Sequence, residues 1–133
     1  MTVTPHIESA QSRVRAERSA LDDAVATVEG VTGWLADADE TPLSDLDFDV
    51  LRARHETLAT KRDRCRDLAE RRQAFLDGST TLHSGAGISH RTLVTSLYED
   101  FPVDYPVLST ATRLDAVCRT CQRAVRDHLV RRA

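Results

Sequence analysis

The stretch from Ile7 to Leu35, "IESAQSRVRAERSALDDAVATVEGVTGWL", repeats every seven residues. Ile7, Val14, Leu21, Val28 and Leu35 hold one position of the repeat. Ala10, Ala24, Val31 and Ala38 hold a second, with Glu17 interrupting that line. A beat sustained over five heptads predicts a helix with a packing seam of coiled-coil type. Thr4 before Pro5 supplies a helix start, so the helix is expected over about 5–38. Gly30 and Gly33 each weaken the last turns by roughly 1 kcal/mol against Ala, and a bend or fraying is expected there.

Outward from this helix, "DADETPLSDLD" (37–47) is acidic, polar and carries a proline, which reads as a turn. A second long helix is expected over about 47–76. Its inner stripe is Phe48, Leu51, His55, Leu58, Arg62, Cys65, Leu68 with Ala69, Arg72 and Leu76, in steps of three and four. Gly78 stands where a helix-ending glycine belongs, and 77–89 reads as a flexible loop. Ser89 can cap a short helix over about 90–100 that carries Leu93, Val94, Leu97, Tyr98 and Phe101. Pro102 and Pro106 enclose an extended link, and a last helix follows over about 108–131. Two helices of about thirty residues joined by a short turn lie antiparallel, and the last is long enough to cover their groove. The expected fold is all-α: one domain over 1–133, an elongated antiparallel three-helix bundle with one short extra helix.

Composition agrees. Aromatics make up 5% of the 133 residues, so the core must be aliphatic, and the length suits one domain. Arginine outnumbers lysine 17 to one, and aspartate outnumbers glutamate 14 to seven. That skew hints at a GC-rich genome and a salt-adapted archaeal cytoplasm. Residues 19–51 hold nine acids and no Arg or Lys, whereas 52–72 hold eight basic residues against four acidic ones. Such segmentation favours pairing within the chain as readily as a nucleic-acid partner. No apolar run reaches membrane-spanning length and the start carries no apolar signal region, so a cytoplasmic protein is expected.

Candidate chemistry is sparse. Cys118 and Cys121 stand i, i+3 on the last helix, on a face with Leu114, Val117, Val125 and His128. Cysteines at such positions behave as small hydrophobes. With Cys65 from the second helix they make a weak candidate for a metal or thiol switch. A structural zinc site needs four ligands, and His128 lies about 10 Å along the axis from Cys121, too far to join the same ion. No metal or other cofactor is expected. "KRDRCRDLAERR" (61–72) looks basic when read linearly, but on a helix its arginines scatter among Asp63, Asp67 and Glu70. A nucleic-acid stripe would be unopposed. "SGAG" (84–87) lacks the Lys-Ser/Thr and preceding strand of a phosphate loop, and no nucleophile–base pair can be assembled. An enzyme is not expected.

Three residues carry structural or partner hypotheses. If the turn pairs residue 38 with about residue 47, Glu17 lies opposite residues near 68, and Arg72 is the seam-facing cation within one turn. A partly buried Glu17–Arg72 pair is therefore expected to set the hairpin register. Trp34 points away from the Leu21–Val28–Leu35 stripe on an ideal helix. It is either a partner contact at the acidic tip or a cap covered by Leu43, Leu46 or Phe48.

"LYEDFPVDYPVLSTATRLDAVCRTCQRAV" (97–125) resembles the C-terminal part of a haloarchaeal family of uncharacterised helical proteins. "HIESAQSRVRAERSAL" (6–21) and "LRARHETLATKRDRCRDLAERRQ" (51–73) look like its N-terminal and central helices. The resemblance implies an all-helical domain in a high-salt archaeal cytoplasm and no assigned activity. The function expected is a helical interaction module, regulatory in form, that associates with itself or docks onto another protein.

Overall fold

The computed structural model describes residues 3–82 and 90–132, with side-chain surroundings for 7–77 and 90–132. In chain order these form α1 (Val3–Asp39), a single 3₁₀ turn (Leu43–Asp45), α2 (Phe48–Leu82), α3 (His90–Leu97) and α4 (Pro106–Arg132). No strand occurs among the described residues.

Local chemistry explains the ends. Asp47 caps α2 by accepting from the Val50 amide at 3.0 Å, the arrangement an Asp N-cap provides. Pro106 takes the first position of α4, where its missing N–H costs nothing. The C-terminal carbonyls of α1 are met from α2, where Arg54 donates to the Ala38 carbonyl at 3.0 Å. Arg132, at the far end of α4, reaches the turn and donates to the Ser44 carbonyl at 2.7 Å.

The contacts run Arg54 to Ala38 and Arg72 to Glu17, so α1 and α2 are antiparallel. Arg62 reaches Asp115 and Gln122 reaches His55, so α4 is antiparallel to α2 as well. α1 and α2 do meet, as expected, but the most extensive helix–helix contact is α2 against α4. Leu51, Leu58 and Cys65 from α2 meet Leu114, Cys118 and Val125 from α4 in the largest core cluster, to which α1 adds Val31. A polar clasp crosses this pairing, with Arg62 Nε donating to Asp115 at 3.0 Å and its Nη1 to Gln122 at 3.2 Å.

The first heptad line holds only in part: Ile7 and Val14 stand exposed, Leu21, Val28 and Leu35 are half-buried against the core, and the second line, with Glu17, Ala24 and Val31, is buried. The helix is rotated from the expected seam because Glu17 has its polar partners on the inner side. The face expected on α4 is narrower than its spacing indicates: Val117 is exposed, and Cys121 and His128 are half-buried.

Two breaks expected in the helices are absent. α1 runs through Gly30 and Gly33, and α2 runs through Gly78 to Leu82. Residues 77–82 are therefore helix, and the rest of the expected loop, 83–89, lies outside the described residues. A glycine in a helix costs about 1 kcal/mol, which tertiary packing outweighs. Just before Gly78, Leu76 packs against Val94 and Tyr98.

A Cβ placed on Gly30 or Gly33 would meet nothing within 4 Å. Gly30→Ala and Gly33→Ala should each stabilise the protein by about 0.5–1 kcal/mol, read as a higher urea midpoint with an unchanged slope.

Candidate functional site

The most concentrated chemistry in the described residues is a buried carboxylate on α1. Glu17 is 2% exposed. From α2, Arg72 donates to both of its oxygens, Nη1 to Oε1 and Nη2 to Oε2, each at 2.6 Å. From α3, His90 approaches Oε1 through Nε2 at 3.0 Å, and from the turn just after it the Tyr98 hydroxyl donates to Oε2 at 2.8 Å. Three helices thus converge on one side chain. The fork geometry of the guanidinium matches a carboxylate bidentately, which makes this a short, charge-assisted contact.

Burial alone would push the Glu17 carboxyl up, but the hydrogen bonds from Arg72, His90 and Tyr98 outweigh it and hold it below its ordinary range. His90 is 0% exposed, and burial moves it down, helped by the positive charges of Arg72 and Arg13, with Glu17 opposing only in part. It is therefore neutral at pH 7, and because an ionised Glu17 can only accept, the ring proton sits on Nε2. Nδ1 is then a buried acceptor with no partner among the described residues. The ring stands edge-on to Phe75, with centroids 4.4 Å apart. Burial, then the bond to Glu17, pushes the Tyr98 hydroxyl up to about 12.

The structure brings Glu17 and Arg72 together, at the register given by pairing across the turn. His90 and Tyr98 were missed as members. A signal for them existed: His90, Val94 and Tyr98 are spaced i, i+4, i+8, and all three are buried. The stripe expected on this helix began at Leu93, which left His90, its first buried member, out.

The cysteines do not assemble a site. Cys65 and Cys118 are buried in the core between α2 and α4, and Cys121 is half-buried beside them. Burial raises all three thiols, Cys118 to about 11, which disfavours the thiolate that a metal or a redox partner needs. Among the described residues, no group of three or more His, Cys, Asp or Glu side chains is placed to hold a metal ion. The basic face of α2 is largely engaged. Arg62 and Arg66 pair with Asp115, Arg71 with Asp67, and Arg72 with Glu17.

Trp34 does not stand free at the tip. It is half-buried and packs on the main core cluster, as do Leu43 and Leu46 from the turn, while Phe48 remains exposed. The rotation of α1 that buries Ala24 and Val31 also turns Trp34 inward. A cleft of about 260 Å³ opens beside it, lined by Leu35, Leu43, Arg54, Cys121 and Val125 among others.

Taken together, the chain is an all-helical protein whose polar centre ties helices to one another, and no helix among the described residues is long and apolar enough to cross a membrane. It matches the family defined by the domain of unknown function DUF7260 over residues 4–122, nearly its whole length, and belongs to that family. No curated protein and no solved structure matches it.

Four hydrogen bonds from three side chains on one carboxylate make removal of the acceptor the worst lesion. Glu17→Leu should cost about 3–5 kcal/mol, since it leaves a buried guanidinium uncompensated. Tyr98→Phe should cost about 1.5–3 kcal/mol, the range for a hydrogen bond to a charged group. The double variant Glu17→Leu/Arg72→Leu should be more stable than Glu17→Leu alone in urea melts.

Acid should loosen the same cluster in two steps. The folded value of His90 lies below its ordinary 6.5, so the unfolded chain binds a proton that the folded chain refuses as pH falls through that value. Its contribution to stability is full above that pH and declines below it, by at most about 1.4 kcal/mol per pH unit. The contribution of Glu17 is full above its ordinary 4.5 and is lost as pH falls from there through the lowered folded value. Subtracting the pH profile of His90→Phe from that of the parent between pH 8 and 5 should isolate the first step.

Proposed function

We propose that this chain is a cytoplasmic helical interaction module without catalytic activity of its own: an elongated three-helix bundle of α1, α2 and α4, with α3 locked across one end. An archaeal, high-salt setting belongs to the same reading and rests on the Arg and Asp skew and on the family resemblance. The observation that carries the reading is where the large apolar side chains lie. Ile7, Val14, Val25, Leu97, Phe101 and Val130 are among those left exposed, while the titratable groups of the polar centre are sealed from solvent. Groups that are sealed and bonded to each other are poorly placed to meet a substrate. Apolar side chains left outside a filled core are what an interaction surface uses.

The test uses the whole chain as bait in its native host, with cross-linking before purification. At least one protein, a second copy of the chain included, should be retained in near-stoichiometric amount. Charged substitutions at the exposed apolar positions should release it. A chain that stays monomeric at high concentration and retains no protein overturns the proposal.

A further inference from the structure

The outer face of α1 carries a second apolar line, distinct from the one that packs inward. Ile7, Val14 and Val25 are 50%, 45% and 51% exposed. They are spaced by seven and eleven residues, and both intervals bring a helix back to within about 20° of the same direction at 3.6 residues per turn. Thr32, also exposed, continues the line. None of α2, α3 or α4 covers it, because the inward line of Glu17, Ala24 and Val31 already takes those contacts.

Around the centre of this line the flanking charges divide: the exposed Arg15 and Arg18 precede residue 19 and the exposed Asp22 and Asp23 follow it, whereas Glu8 and Glu29, nearer the ends, are both acidic. Among the described residues, Arg15, Arg18, Asp22 and Asp23 form no ion pair within the chain. A like helix laid parallel would set arginines against arginines and acids against acids. Laid antiparallel about a point between Ser19 and Ala20, it sets Val14 against Val25 and Ile7 against Thr32. The same register sets Arg15 and Arg18 beside Asp22 of the other copy, while Asp23 points away from the line. A two-fold axis makes every one of these contacts twice. The half-buried Leu21 falls opposite Arg18, whose aliphatic stem can lie over it.

From this self-complementarity we infer that the partner of the α1 outer face is a second copy of the same chain, docked antiparallel in the register that pairs Val14 with Val25. The inference rests on the reading of the chain as an interaction module and names the occupant of one of its surfaces. Apolar contacts along the line supply the attraction, and the charge division selects orientation and register, as flanking charges do in helix pairs.

Sedimentation equilibrium over a wide concentration range tests it, with circular dichroism to confirm that each variant is folded. The parent chain should show a monomer–dimer equilibrium. Val14→Glu should weaken dimerisation at least tenfold, because it puts a charge on the seam twice. Arg15→Glu/Arg18→Glu should weaken it similarly, and adding Asp22→Arg should restore it, since the reversals recreate opposite charges only in the antiparallel register. These positions are exposed, so the fold should tolerate the changes. A parent chain that is monomeric throughout, a dimer indifferent to Val14→Glu, or a charge reversal that is not rescued would each overturn the inference. A monomer that still retains a host protein sinks this inference and leaves the interaction reading standing; a monomer that retains none sinks both.

Discussion

The carboxylate of Glu17 is the constraint from which the rest of the arrangement follows. An ionised group 2% exposed must find its hydrogen bonds inside the protein, and these come from α2 and α3 at once. Arg72 fixes how far α1 slides along α2, because a bidentate fork tolerates little displacement. The inward direction of Glu17 fixes how α1 is rotated, and so decides that Ala24 and Val31 are buried while Ile7 and Val14 are not. His90 and Tyr98 fix where an eight-residue helix docks, although α3 is too short to be stable alone.

This division of labour separates affinity from specificity. The pairing of α2 with α4 is built from Leu51, Leu58, Cys65, Leu114, Cys118 and Val125, and such apolar burial supplies stability without much geometric choice. At the end where α3 docks, α1 has a small inner surface, with alanine at 24 where a larger side chain would grip harder. There a buried ion pair contributes little net stability, since desolvation offsets most of its attraction. It discriminates strongly against every register in which either charge lacks its partner. A weak but selective latch on α1 is the arrangement these residues make.

The parts of the fold set by periodicity were legible in the sequence: the four helices, their order, and the turn near 40–47. The Glu17–Arg72 pair could be placed because an interruption in a heptad line and a seam-facing cation are both visible one residue at a time. What could not be read was the ranking of surfaces. Ile7 and Val14 are better hydrophobes than Ala24, and counting alone makes theirs the inner line; only the location of the polar partners of Glu17 reverses it. Gly78 misled for a related reason, since its local preference is outweighed by Leu76 packing against Val94 and Tyr98. His90 was hidden because its acceptor lies 73 residues away on another helix.

The same rotation that satisfies Glu17 also creates the surface left over. With Glu17, Ala24 and Val31 turned fully inward, Leu21, Val28 and Leu35 stay half-buried against the core, and Ile7, Val14 and Val25 are left outside. If Glu17 were apolar, α1 could rotate to bury Ile7, Val14 and Val25, and the outer face would be polar. Because the carboxylate forbids that rotation, an apolar line with a divided charge pattern stays in water along α1. The buried polar centre and the exposed apolar line are therefore one design feature seen from two sides: the interaction that orders the interior also decides which surface the protein offers to a partner.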